Sequence, residues 1–247
     1  MINAKPFLVV LLVMSLGLPT PMFGGGNSRP QIVQSAGNSC SADTVCQGGY
    51  TKTQTFGSPI KQGDIITVTM AYQGPSSGVT LTFWDNLGNK PVTVTSQCLG
   101  TSPKDICTGI GYYVVTKGGL VDISMKAVGA TSGRLSYMIS DWRGNFHGQI
   151  TAQGADGACI SDCSNSIQTS SVLLRHAQSA IAVSIAGAYY SGTSSWNATL
   201  PFYFYSNTQG GGYSFLWQAS NFIKGPQDFS ASTSSPLIWA ESGEVLT

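Results

Sequence analysis

Carboxylates and imidazoles carry most acid–base chemistry in proteins, and this chain has few of either. Of 247 residues, 11 are Asp or Glu and two are His. Both glutamates, Glu241 and Glu244, lie near the C-terminus. Glycoside hydrolysis needs two carboxyls facing one bond, one of them held protonated. Glu241 and Glu244 are three positions apart in a segment that reads as a strand, and an odd spacing sends them to opposite faces. The aspartates, among them Asp64, Asp85, Asp105 and Asp162, fall at turns or strand ends, where an Asp side chain bonds nearby backbone. Serine is plentiful, but a serine nucleophile must be oriented by a His and a carboxylate. His147 and His176 read as surface residues. A sandwich-fold acid protease using a carboxylate and an amide would suit so weakly charged a chain, but no Trp-rich motif stands in the order it requires. The expectation is a protein that is not an enzyme, with no catalytic residue and no cofactor.

Thiols are the remaining reactive groups. Six cysteines are present: Cys40, Cys46, Cys98, Cys107, Cys159 and Cys163. An even number in an exported chain implies disulfides, and sequence alone does not select the pairing. Spacing favours Cys40 with Cys46, Cys98 with Cys107 and Cys159 with Cys163, each pair stapling a short loop. Zinc sites prefer Cys-x2-Cys pairs with added His, whereas these gaps are five, eight and three residues. The one metal with candidate ligands is a structural calcium, which takes carboxylate and carbonyl oxygens. Asp156-Gly157 with Asp162, or Asp85-Asn86 with Asn89, would supply them, although neither follows the twelve-residue calcium loop.

Aromatic side chains offer binding rather than catalysis. Trp84, Trp142, Trp196 and Trp217 are candidate ligand-binding aromatics, able to stack sugars if several rings share one exposed sheet; Trp239 and the tyrosines could join them. The competing reading places these rings in the core or along strand faces. Asn197-Ala198-Thr199 is a glycosylation sequon, which predicts a surface loop over 195–199. Nucleic acid is not an expected partner, since the net charge is +1 and no basic cluster exists to neutralise phosphates.

The elements that must position these groups read as strands throughout. Period-two runs place Ile66, Val68, Met70 and Tyr72 on one face, and Val79, Leu81 and Phe83 on another. Asp85-Asn86-Leu87-Gly88-Asn89 then forms a tight turn. Leu120 to Val128 and Arg134 to Trp142 read as an antiparallel pair around the Gly129–Gly133 turn. Ser179 to Ala188 alternates as a strand, despite its alanines. About twelve short strands joined by turns predict an all-β, antiparallel β-sandwich or jelly roll, as one large domain. Ahead of it, residues 1–23 read as a signal peptide: Lys5, then an apolar run from Phe7 to Leu18 that is too short to span a bilayer, ended by prolines. Residues 24–39 form an extended arm, and 40–247 the sandwich. The protein is therefore expected outside the cell or at its surface, with no membrane segment after cleavage.

Gly63-Asp64-Ile65-Ile66, then Trp84-Asp85-Asn86-Leu87-Gly88-Asn89, then Asp141-Trp142-Arg143-Gly144, resemble a group of secreted microbial β-sandwich surface proteins. The resemblance implies a jelly-roll or concanavalin-like sandwich. It implies no defined activity and carries over no catalytic residue. The Cys159–Cys163 loop lies outside the pattern.

Only 9% of residues are charged, against roughly 25% in typical soluble domains. Surfaces rich in hydroxyls and amides can meet like surfaces without desolvating many ions. The expected role is structural or adhesive, in a cell surface, a matrix or a filament, through self-association or contact with other surface proteins. In a filament, the arm would donate a strand to the sheet edge of a neighbour; the alternative is that Gln31 to Ser35 pairs within its own sandwich. Two further classes are a carbohydrate-binding module, with glycans as partners, and a hydrolase, which would need two titratable groups within hydrogen-bond reach in a cleft.

Overall fold

The computed structural model describes residues 30–38, 51–74, 78–101, 104–130 and 133–144, nearly all with side chains. Beyond these it describes the strand backbones of 152–159, 166–168, 172–174, 179–188, 196–198, 203–210, 214–221, 225–227, 230–233 and 238–246. The signal segment, Cys40, Cys46 and Cys163 lie outside the described residues. Among the described residues there is no helix, and every strand pairing is antiparallel.

The first half of the chain builds two sheets. The larger one contains β1 (Gln31–Asn38), β3 (Ile65–Gly74), β5 (Val92–Thr101), β6 (Lys104–Val114) and β8 (Arg134–Arg143), in the order β1-β8-β3-β6-β5. The smaller one contains β2 (Thr51–Thr55), β4 (Thr80–Asp85) and β7 (Asp122–Val128), in the order β2-β7-β4. The second half adds β9 (Ala152–Cys159), β12 (Ser179–Ala188), β14 (Tyr203–Gly210), β15 (Ser214–Asn221) and β18 (Ile238–Leu246), in the order β14-β15-β12-β18-β9. Short strands β10 (Ser166–Gln168), β13 (Trp196–Ala198) and β17 (Ser230–Thr233) form a further sheet, and β11 (Val172–Leu174) pairs with β16 (Gly225–Gln227).

The two five-stranded sheets stack with matching order. β1 lies over β14, β8 over β15, β3 over β12, β6 over β18 and β5 over β9. This is the expected all-β sandwich, with the three-stranded sheet added on the other side of the β1-β8-β3-β6-β5 layer. The apolar core fills the space beneath that third layer. Ile66, Val68, Met70 and Tyr72 of β3 meet Val79, Leu81 and Phe83 along β4 and Ile123, Met125 and Ala127 of β7, as the alternation predicts. The approach is close because β6 presents glycines there. A Cβ on Gly109 would lie 2.9 Å from Leu81 Cδ1, and one on Gly111 would lie 2.3 Å from the Val92 carbonyl oxygen and 2.8 Å from the Phe83 ring. Cys98 and Cys107 sit directly opposite each other on β5 and β6 and form a disulfide, the expected staple of adjacent chain.

One expectation differs from the structure. Residues 120–128 and 134–142 do not pair with each other. β7 pairs with β2 and β4, while β8 pairs with β1 and β3, so the connection through Gly133 passes from one layer to the next. Alternation reveals a strand's faces, but it cannot identify the neighbour. The polar face of β3 is buried as well. Thr67, Thr69 and Gln73 are buried, as are Thr108 of β6 and Ser136 and Ser140 of β8. This face lies toward the second five-stranded sheet; Thr69 Oγ1 donates to the Met138 carbonyl at 3.1 Å, Thr67 Oγ1 accepts from Trp142 Nε1, and Ser140 Oγ has no partner among the described residues. Trp196–Ala198 forms β13, a short edge strand paired with β17; residues 195 and 199 lie outside the described residues.

Candidate functional site

A cluster of polar side chains gathers where β1, β8 and the start of β3 meet. Pairing puts Ile65 opposite Trp142 and Ile66 opposite Asp141, which brings Asp64 beside Arg143. Arg143 donates from Nε to Asp64 Oδ1 at 2.9 Å and from Nη2 to Oδ2 at 2.7 Å, a two-pronged ion pair. The Lys61 backbone N–H also donates to Asp64 Oδ2, at 2.9 Å. Burial alone would raise the pKa of Asp64, but these donors outweigh it and hold the carboxyl below its ordinary value. The same bonds keep the Arg143 guanidinium charged, against its partial burial.

Asp141 is a contrasting neighbour. It has no exposed surface. Its Oδ2 accepts a hydrogen bond from Gln34 Nε2 at 3.0 Å, and its Oδ1 has no donor among the described residues. Asp64 is a neighbouring negative charge that opposes ionisation of Asp141. Burial, opposed by Gln34 and reinforced by Asp64, pushes Asp141 up to about 6. Tyr113, whose hydroxyl is buried without a partner, is pushed up by burial and by the charges of Asp85 and Asp141.

Gln34 joins this cluster to the first strand. Besides Asp141, it donates to the Ser58 carbonyl at 3.0 Å and accepts from the Ser58 N–H at 3.1 Å. The ladder between β1 and β8 shifts register between Ile32 and Gln34, and Val33 points outward, 48% exposed. Around these contacts lies a groove of about 370 Å³, lined by Val33 and Gln34 of β1, Ser58 and Lys61 of the following loop, and Asp141 and Arg143 of β8. The sequence quoted Asp64 and Asp141 as strand-end motifs. It gave no sign that they would meet, because they are brought together only by pairing between β3 and β8.

The predicted site residues fall in several places. Trp142 is not a ligand platform: it is fully buried, and its Nε1 donates to Thr67 Oγ1 at 2.8 Å. Its position on β8 turns it toward the second sheet, where an indole packed among hydroxyls finds both contact and an acceptor. Trp84 is 42% exposed at the edge of the three-stranded sheet. Its row reads Thr53, Ser124, Trp84 across the strands, with Thr53 and Ser124 hydroxyls 2.9 Å apart. Trp196 and Asn197 lie on β13 and Trp217 on β15, which separates them from Trp84 in the fold order. Cys159 ends β9.

The proposed Asp85–Asn89 calcium ligands are occupied by the turn itself. Asp85 Oδ1 accepts from the N–H groups of Leu87 (3.1 Å), Gly88 (2.6 Å) and Asn89 (3.0 Å), and Oδ2 accepts from Asn89 Nδ2 at 2.6 Å. Asn89 Oδ1 in turn accepts from the N–H groups of Thr116 and Lys117. Donors aimed at these oxygens stand where a cation would bind. Of the other pair, Asp156 lies on β9 opposite Ser242, and Asp162 is outside the described residues. Comparison with protein-family models, with curated proteins and with solved structures finds no match.

Proposed function

We propose that the protein is a secreted, non-enzymatic structural subunit that joins copies of itself by passing β1 from one copy to the β8 edge of the next. The observation that carries this reading is the way β1 is held. It is the edge strand of its sheet, it alternates between exposed and half-buried positions from Gln31 to Gly37, and among the described residues its side chains are fastened to the rest of the fold by hydrogen bonds of Gln34. β8, which it covers, is buried from Leu135 to Trp142. The ladder that β1 makes is the same whichever copy supplies the strand, so exchange between copies costs little at equilibrium. Low overall charge supports the reading, since copies meet without strong repulsion. A disulfide between Cys98 and Cys107 suits an oxidising exterior.

The absence of catalysis is supported by access. Asp64 and Asp141 are the nearest approach to an acid–base pair, yet Asp64 is 4% exposed on its side chain and Asp141 has no exposed surface. A general acid must come within hydrogen-bond reach of the bond it protonates. A second reading, glycan binding, draws on the exposed Trp84 beside Thr53, Ser124 and Thr82; loss of binding on a glycan array by Trp84→Ala would favour it.

The test of the assembly reading is size. The mature protein is expected to form oligomers or fibres in light scattering and negative-stain images as concentration rises, and deletion of 24–38 is expected to abolish them. A mature chain that stays monomeric, or assembly that survives the deletion, sinks the reading.

A further inference from the structure

The contact that fastens β1 closes over a carboxyl whose surroundings suit the neutral acid. Asp141 faces Gln34 from β1, Asp64 from the start of β3, Lys61 from the loop before it, Tyr113 from β6 and Arg143 from its own strand. Arg143, itself part-exposed, is committed to Asp64 by two hydrogen bonds, so one guanidinium serves two carboxyls. With Asp141 neutral, the Arg143–Asp64 pair is balanced. With Asp141 ionised, a second negative charge sits without exposed surface, and one of its oxygens lacks a donor. Lys61 offsets this little, because it is exposed and hydrated on the rim. When β1 leaves, Val33 and Gln34 withdraw from the groove and water reaches Asp141.

We infer that β1 seats with uptake of one proton at Asp141, so that acid fastens the strand and a rise in pH loosens it. This rests on the reading that β1 is exchangeable, and it names the condition that controls the exchange. A carboxyl raised in the seated state contributes stability that is full below its ordinary value and lost as pH rises through the seated value. With 3.8 as the ordinary value and about 6 when seated, the seating constant falls by up to about 100-fold between pH 4 and pH 8.

Hydrogen exchange on the full mature chain measures seating directly. Protection of the amides of 31–38, corrected for the intrinsic pH dependence of exchange, is expected to fall above pH 6 while β3 and β6 remain protected. Asp141→Asn keeps the shape and removes the titration, and its β1 protection is expected to be flat from pH 4 to pH 8. Gln34→Ala opens the carboxyl to water; it is expected to seat more weakly at every pH and to lose most of the pH dependence. Wild-type protection that does not change with pH overturns the inference, as does either variant that retains the full wild-type dependence. Light scattering on the same samples separates the two ideas. A protein monomeric at every pH removes strand exchange between copies, whereas pH-linked protection of β1 in that monomer keeps the proton switch.

Discussion

Replacing Asp85 removes the acceptor around which the β4–β5 turn is built, and the structure gives the size of the loss. The carboxylate accepts four N–H groups, three from the backbone of Leu87, Gly88 and Asn89 and one from the Asn89 side chain. Gly88 is exposed and Leu87 half-buried, so in Asp85→Ala water can take over their donors. Asn89 is 4% exposed, and its two donors are stranded. Hydrogen bonds to a charged group contribute roughly 1.5–3 kcal/mol each, and a buried orphan costs about as much. Two stranded donors therefore put Asp85→Ala at about 3–5 kcal/mol. Asp85→Asn keeps an oxygen for the backbone donors but sets an N–H against Asn89 Nδ2, for a loss of about 1–3 kcal/mol. The orientation of the Asn89 amide is fixed by its own acceptor, since Thr116 and Lys117 N–H groups point at Oδ1. Urea unfolding of the disulfide-intact protein, followed by tryptophan fluorescence, reads both variants. Asp85→Ala within about 1 kcal/mol of wild type, or Asp85→Asn less stable than Asp85→Ala, refutes the assignment of the carboxylate as the organiser of the turn.

Two further substitutions probe the packing. Gly111→Ala would drive a methyl into the Val92 carbonyl and the Phe83 ring; backbone cannot yield as a side-chain tip does, so a loss of at least about 3 kcal/mol is expected in the same urea assay, and a near-neutral result would mean that β5 shifts freely. Trp142→Phe removes the bond to Thr67 and part of a buried ring, for an expected loss of about 2–4 kcal/mol, and a loss of the near-ultraviolet circular dichroism of a rigid indole should accompany it.

The strands were readable because their apolar residues alternate. Ile66, Val68, Met70 and Tyr72 pack as the period of two requires, and the Asp85–Asn89 turn is closed by the residues whose side chains bond their own backbone. The sheet that covers the threonine face of β3 was not readable. A strand that alternates Ile with Thr looks half-exposed, and nothing local distinguishes a threonine facing water from one facing another sheet. Thr67 and Thr69 are of the second kind, and their partners, Trp142 and Met138, are about seventy residues away. The candidate site was hidden for the same reason. Asp64, Asp141 and Gln34 come from three separate segments of the chain, and only the pairing order assembles them.

That hydroxyl-bearing interface has a consequence for how stability varies with temperature. Exposing apolar surface on unfolding raises the heat capacity, while exposing polar surface lowers it. A sheet face closed by Thr67, Thr69, Thr108, Ser136 and Ser140 contributes to both in opposite directions. The unfolding heat capacity per residue should fall below the usual ~12–15 cal/mol/K, and the stability curve should be broad and shallow. Such a fold would keep nearly the same margin of stability over a wide span of temperatures.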